Sequence, residues 1–225
     1  MTEENFLRRI KGVRRDLGHL LFHFTRSVSP DPILYVAGSV SPDSTDLEPE
    51  VPMSAFDVLQ KILRERRLIG SGRWVKGGHR CVCFTEAPIS ELASVFALSG
   101  SPTEKNPRYE PYGIAVRKEW LFERGGRPVI YQTDSERESL PQGIQWRHVR
   151  YEPPNIDFTW ERKWRLCIDI LTLEPQDTLV VVRTVQEAYR ISYEFSQLSH
   201  VGTPTNPMIA SNPTWLAVSL ALLGL

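Results

Sequence analysis

The sequence lacks the loops and clusters that mark the commoner nucleotide and metal sites. It contains neither G-x-G-x-x-G nor G-x-x-x-x-G-K-[ST]. Any nucleotide bound here is held without a glycine-rich phosphate loop. Cysteine is scarce, with only Cys81, Cys83 and Cys167, too few for a disulfide framework. Cys81 and Cys83 stand too close for a zinc knuckle, and no second Cys/His pair accompanies them at finger spacing. Strand alternation would put both on one face as small, buried, reduced residues, so no metal site is expected. Reducing cytoplasm is the expected compartment. No nucleophile elbow supports Ser-His-Asp chemistry, and His79 and His148 have no spacing that indicates a metal or a triad. The N-terminus has charges but no apolar signal-peptide core. The apolar run 215–225 is too short to span a bilayer. It reads as a helix packed on the body of the protein, or as an interface element.

An excess of charge of one sign is also missing. Lys+Arg is 27 and Asp+Glu is 27, for a formal net charge of zero. Bulk charge therefore demands no polyanionic partner. The distribution is less even. Arg8, Arg9, Lys11, Arg14 and Arg15 make the N-terminus basic, and Asp43, Asp46, Glu48 and Glu50 make an acidic patch. At 225 residues a single elaborated domain is favoured. A basic amphipathic helix over 1–20 precedes an α+β core over 21–183, and a helical extension follows over 184–225.

Periodicity supplies the elements. Phe6, Ile10, Val13, Leu17, Leu20 and Leu21 recur at helical spacing over 5–24, and a short strand follows over 21–25. Residues 27–52 read as loop, with a brief strand over 33–36. A helix over 54–67 has Ser54 as N-cap, Asp57 at the third position, and a stripe of Phe56, Leu59, Ile62 and Leu63. Strands are expected over 80–85, 112–116, 128–131, 147–151, 167–173 and 179–182. Helices are expected over 89–98, 118–123 and 185–198, and a polar loop over 100–111. Strands and helices mix without a strict βαβ rhythm, which argues for α+β.

One stretch is chemically unusual. Residues 158–166 read as a strand with Trp160, Arg162, Trp164 and Leu166 on one face and Glu161, Lys163 and Arg165 on the other. Flanking cations favour the ionised form of Glu161. Such a carboxylate suits a site where positive charge develops, or one that orients a polar substrate. The plainer alternative is an exposed, salt-bridged strand face.

The order of segments carries a resemblance. His23 sits in Leu-Phe-His-Phe-Thr. A helix closes through Ile62-Leu63-Arg64-Glu65-Arg66-Arg67-Leu68-Ile69-Gly70-Ser71. Next come Cys81-Val82-Cys83-Phe84-Thr85-Glu86-Ala87-Pro88 and Tyr112-Gly113-Ile114-Ala115-Val116. Gly125-Gly126-Arg127-Pro128-Val129-Ile130-Tyr131, Trp146-Arg147-His148-Val149-Arg150-Tyr151 and Trp160-Glu161-Arg162-Lys163-Trp164-Arg165 complete the series. From about residue 20 to about residue 170 it resembles bacterial abortive-infection, phage-resistance proteins of the AbiGi kind. More distantly it is similar to the ADP-ribosyltransferase plan shared by toxins of the DarT kind and RNA 2'-phosphotransferases.

That plan implies a split, mostly antiparallel sheet with flanking helices, and NAD as co-substrate in its cleft. His23 would bond the nicotinamide-side ribose, and Glu161 would support departure of nicotinamide. Thr25, Arg80, Phe84, Thr85 and Tyr112 would line the NAD site. The acceptor would be nucleic acid or protein, and a cognate toxin or antitoxin partner is possible. One departure is Lys163, which stands where a second acid completes Glu-x-Glu in arginine-directed transferases. It argues against protein-arginine modification and leaves a pseudoenzyme open.

Each residue also has a plainer reading. Glu161 would pair with Lys163 or Arg165, His23 would be a satisfied core histidine, and Thr85 would cap a strand end. Arg80, Arg66 and Arg67, which could pair a pyrophosphate bidentately, would be solvated, and Tyr112 and Tyr131, which could stack a ring, would belong to core or rim. The rival class is a non-catalytic binding module, an antitoxin-like partner or a sensor of a phage component. A nucleic-acid processing enzyme is a third reading; the basic N-terminal helix permits it, but neither an acidic metal cluster of nuclease type nor an aromatic stacking motif for single strands supports it.

Overall fold

Seven strands form the main sheet of the computed structural model, which describes residues 4, 18–28, 52–99, 109–195, 198–203, 206–211 and 214–224. The strands are β1 (Leu20–Phe24), β2 (Arg67–Ile69), β3 (Cys81–Thr85), β4 (Gly113–Arg117), β5 (Arg127–Pro128), β6 (Ile130–Gln132), β7 (His148–Arg150), β8 (Lys163–Cys167), β9 (Ile170–Thr172), β10 (Thr178–Val182), β11 (Leu198–Thr203), β12 (Asn206–Ser211) and β13 (Leu216–Ser219). The helices are α1 (Ala55–Glu65), α2 (Ile89–Ser99), α3 (Lys118–Glu123), α4 (Asp134–Arg137) and α5 (Val185–Phe195).

The main sheet has the order β13-β10-β4-β1-β3-β8-β5. Only β10 and β13 run parallel; the other pairs are antiparallel. Two-stranded pairs β2–β9, β6–β7 and β11–β12 accompany it. The class is therefore α+β with a mostly antiparallel, mixed sheet. No described helix is long and apolar enough to cross a membrane.

Helix α1 begins where the sequence says it should. The Ser54 hydroxyl accepts the Asp57 N–H, and the Asp57 carboxylate accepts the Ser54 N–H. This closes a capping box that satisfies two otherwise orphaned donors. Phe56, Leu59 and Leu63 turn inward and Ile62 is half-buried. They pack on one face of the sheet against Leu21, Phe84, Ile114, Trp164, Leu166 and Val180. Each buried leucine contributes roughly 1.5–3 kcal/mol. This is the core face.

The opposite face carries Phe22, Thr85 and Lys163 in one cross-strand row, and Phe24, Cys83 and Arg165 in the next. Helix α2 and Tyr109 lie over it through Phe96 and the Tyr109 ring against Phe24. Gly113 faces Phe24 at the end of the β1–β4 ladder. A Cβ there would collide with the carbonyl of His23 and with Cα of Phe24 at 2.9 Å.

Several expectations are corrected. The helix over 54–67 ends at Glu65, because Arg66 turns left-handed (φ 51°) and Arg67 already pairs in β2 against β9. The strand expected over 128–131 is two strands, with Val129 N–H donating to Lys163 O between them. The 184–225 extension is not helical throughout. After α5 come β11, β12 and β13; of the apolar run 215–225, Leu216–Ser219 completes the sheet beside β10 as a strand and only Leu220–Leu223 turns helical, as a 3-10 helix. A parallel neighbour buried on its inner face makes a strand the better use of those residues. Most of the amphipathic helix over 5–24, the strand over 33–36 and most of the loops over 27–52 and 100–111 lie outside the described residues.

Candidate functional site

The stretch 158–166 is not one strand. The Asp157 carboxylate accepts the Thr159 N–H at 2.9 Å and the Thr159 hydroxyl at 2.6 Å, a side-chain turn of the kind aspartate favours. Residues Thr159–Glu161 then form a 3-10 turn, and Arg162 takes a left-handed φ of 45°. Pleating starts only at Lys163. Alternation therefore holds for Lys163 to Cys167 but does not reach back across Arg162. Trp160 leaves the Trp164 face and stands 43% exposed, with its ring edge-on to Tyr109 at 6.2 Å.

Glu161 is fully buried. Its Oε2 accepts the Tyr109 hydroxyl at 2.6 Å and lies 2.9 Å from Lys163 Nζ. Lys163, not Arg165, is the paired cation; its side chain is 16% exposed and its ammonium lies over the Phe158 ring. The Thr85 hydroxyl donates to the Glu161 carbonyl and accepts the Ala87 N–H at 3.1 Å. The Tyr131 oxygen accepts the Lys163 N–H at 3.0 Å. Burial first, and the Glu161 charge with it, push the Tyr131 pKa up, while the Lys163 N–H opposes them. The result is a closed anion–cation pair under an aromatic cover.

His23 is elsewhere. It alternates with Phe22 on β1 and so points to the core face, edge-on to Phe84 at 5.8 Å. Its Nδ1–H donates to Cys83 O at 2.8 Å, and burial holds its pKa below the usual value. Strand β3 separates β1 from β8. The expected shared cleft of His23 and Glu161 is therefore corrected: the two side chains occupy opposite faces of the sheet, because the register puts Phe22, not His23, in the row of Lys163.

The expected NAD-lining residues also scatter. Thr25 is 4% exposed, and its hydroxyl donates to Ala55 O at 2.8 Å, tying β1 to α1. Phe84 is core. Thr85 is on the Glu161 side, but its hydroxyl is engaged within the fold. Tyr112 donates to Glu187 Oε1 at 2.8 Å, and burial, then that carboxylate, push its pKa up to about 12. Arg80 precedes the far end of β3, roughly 16 Å along the strand from Thr85, beside Asp169 at 3.5 Å. Of these residues Thr85 alone reaches Glu161; His23 meets Phe84 on the core face, and the Thr25 hydroxyl meets the Tyr112 carbonyl.

Two features were not legible beforehand. Tyr109 sits at the end of a stretch read as polar loop, and nothing local marks it as the partner of Glu161. Glu86, within the Cys-Phe-Thr-Glu-Ala-Pro segment, forms a second cluster on the core face. Its carboxylate accepts Trp164 Nε1–H at 2.8 Å and pairs with Lys118, whose ammonium lies 5.7 Å from the Trp164 ring.

The cysteines are free. Cys81 is buried, its pKa raised to about 12 by burial and then by Cys167; Cys83 is only half-buried. Cys81 and Cys83 share a face, as alternation requires. Among the described residues no group of three or more His, Cys, Asp and Glu side chains is arranged to hold a metal ion. Comparison with family models, with curated proteins and with solved structures finds no match for this chain.

Proposed function

We propose that this chain is a binding protein of bacterial phage defence, an antitoxin-like partner or a sensor of a phage component, and not a transferase. The reading starts from the motif series described above. One observation supports it: the Glu161 carboxylate is fully buried and engaged by Lys163 and Tyr109, on the face opposite His23. A carboxylate that stabilises an oxocarbenium-like centre must meet the reacting carbon. Glu161 instead meets an ammonium and a phenol. Lys163 occupies the place of a second acid and neutralises the first.

A second reading is ADP-ribosyl transfer from NAD to a nucleic-acid or protein acceptor. It is favoured by the company Glu161 keeps. Trp160 and Tyr109 stand edge-to-face beside the carboxylate, and an aromatic ring next to a carboxylate is what nicotinamide departure would use.

Incubation of the protein with adenylate-labelled NAD and bacterial lysate, followed by separate recovery of protein, RNA and DNA, distinguishes the two. The binding reading expects no label in any fraction and no NAD affinity by calorimetry. Incorporation that disappears in Glu161→Gln, with that variant still folded, would overturn it in favour of the transferase.

A further inference from the structure

The cations of this neutral chain are not spread evenly over its surface. Arg64, Arg67, Arg150 and Lys163 each sit on a carboxylate. At the β5 edge of the main sheet the pattern changes. Among the described residues, Arg73, Arg127, Arg147 and Arg165 pair with no carboxylate; their partners are backbone carbonyls and aromatic rings.

Arg165 is the hub. It is 4% exposed, and its Nη1 donates to Trp146 O and His148 O, both at 2.7 Å. Its Nη2 donates to Trp74 O at 3.2 Å, and its buried Nε–H has no acceptor among the described residues. Arg127 is its register partner on β5 and donates to Phe122 O and Gly126 O. Arg147 donates to Pro128 O at 3.0 Å. Burial, and after it the Arg127 charge, hold the Arg147 pKa below its usual value. Among the described residues, three guanidinium groups thus gather at β5 and the neighbouring β8 with no carboxylate against them, an arrangement that disfavours itself unless an anion arrives.

Trp74 joins this cluster through its carbonyl, which accepts from Arg165 Nη2. It is 82% exposed, with Arg73 5.7 Å from its ring centre. Its φ of 64° is left-handed, which is uncommon for a bulky residue. The turn is held there by Val75 N–H donating to Gly72 O and by Arg165 on the Trp74 carbonyl. An indole held in water gains nothing for folding, but it offers a flat face for stacking.

We propose that this edge binds single-stranded nucleic acid, with phosphates against Arg127 and Arg147 and a base on Trp74. Guanidinium groups match phosphate oxygens, and stacked aromatics beside a cationic track are how single strands are held without sequence readout. A duplex keeps its bases stacked on one another and would leave Trp74 unused. An acidic peptide would satisfy the arginines but not the indole. The proposal names the partner class for the binding reading and rests on it; the NAD assay and the following one can fail separately.

The full chain is titrated into fluorescein-labelled single-stranded DNA and RNA of about 15 nucleotides, a duplex of equal length, and a poly-glutamate peptide. Polarisation is read between about 50 and 200 mM salt. Single strands should bind more tightly than duplex, and the DNA and RNA arms tell which nucleic acid is preferred. Trp74→Ala should weaken single-strand binding about tenfold without changing the salt slope. R127A/R147A should lower that slope by about two. Arg64→Ala, at a paired surface arginine, serves as the control and should bind as wild type. Thermal melts confirm that each variant is folded, and the exposure of Trp74 keeps that variant informative if the arginine pair proves structural. Equal binding of duplex, tighter binding of poly-glutamate, or wild-type affinity in Trp74→Ala would overturn the proposal.

Discussion

Replacing Glu161 by Gln separates a closed ion pair from an open site. The wild-type carboxylate is fully buried and faces an ammonium 2.9 Å away and a phenol at 2.6 Å. Gln keeps the shape and can accept the Tyr109 hydroxyl, but it leaves Lys163 without its counter-charge. Removing one partner of a buried pair costs roughly 3–5 kcal/mol. Lys163 is 16% exposed and can recover part of its hydration, so about 2–3 kcal/mol is the expected loss. For a chain of this size each kcal/mol shifts Tm by about 2–4 °C, giving a fall of roughly 4–12 °C. The double variant E161Q/K163M removes both charges and should recover to within about 1 kcal/mol of wild type. Urea denaturation followed by circular dichroism, on the wild type, both single variants and the double variant, yields the coupling directly. If Glu161→Gln melts within a degree of wild type, or the two single losses simply add, the pair is not closed in solution and the carboxylate is available to a ligand.

Two further outcomes follow from the fold. Burial lowers the folded pKa of His23 below the unfolded value of 6.5, so the unfolded chain binds the extra proton. Its contribution is complete above about pH 6.5 and is lost as pH falls through that value toward the folded pKa, with a slope of at most about 1.4 kcal/mol per pH unit. His23→Asn, compared with wild type by urea titration across this window, should flatten the slope, and an unchanged slope would count against a half-buried neutral imidazole. Gly113→Ala should destabilise by at least about 1–3 kcal/mol, because the added methyl meets the β1 backbone and not a movable side chain. A variant as stable as wild type would mean that β4 and β1 are further apart than described.

The sequence determined what depends on near neighbours. Ser54 and Asp57 start α1 because a capping box spans three residues. Strands β1, β3, β4 and β10 follow from short apolar runs of strand length. The α+β class follows from the irregular order of those elements. What the local pattern could not supply was which way a side chain faces. His23 and Glu161 lie in the first and a late motif of one series, yet a register with Phe22 opposite Thr85 sends them to different faces. A left-handed residue at Arg162 cancelled the alternation that would have put Trp160 beside Trp164. The apolar run at 216–219 fits helix or strand equally, and the free place beside β10 decided it. Tyr109 reaches Glu161 across 52 residues, and Arg165 reaches Trp74 across 91. Charge and hydrogen bonding act through space, so such partners exist only once the sheet has set which strands are neighbours.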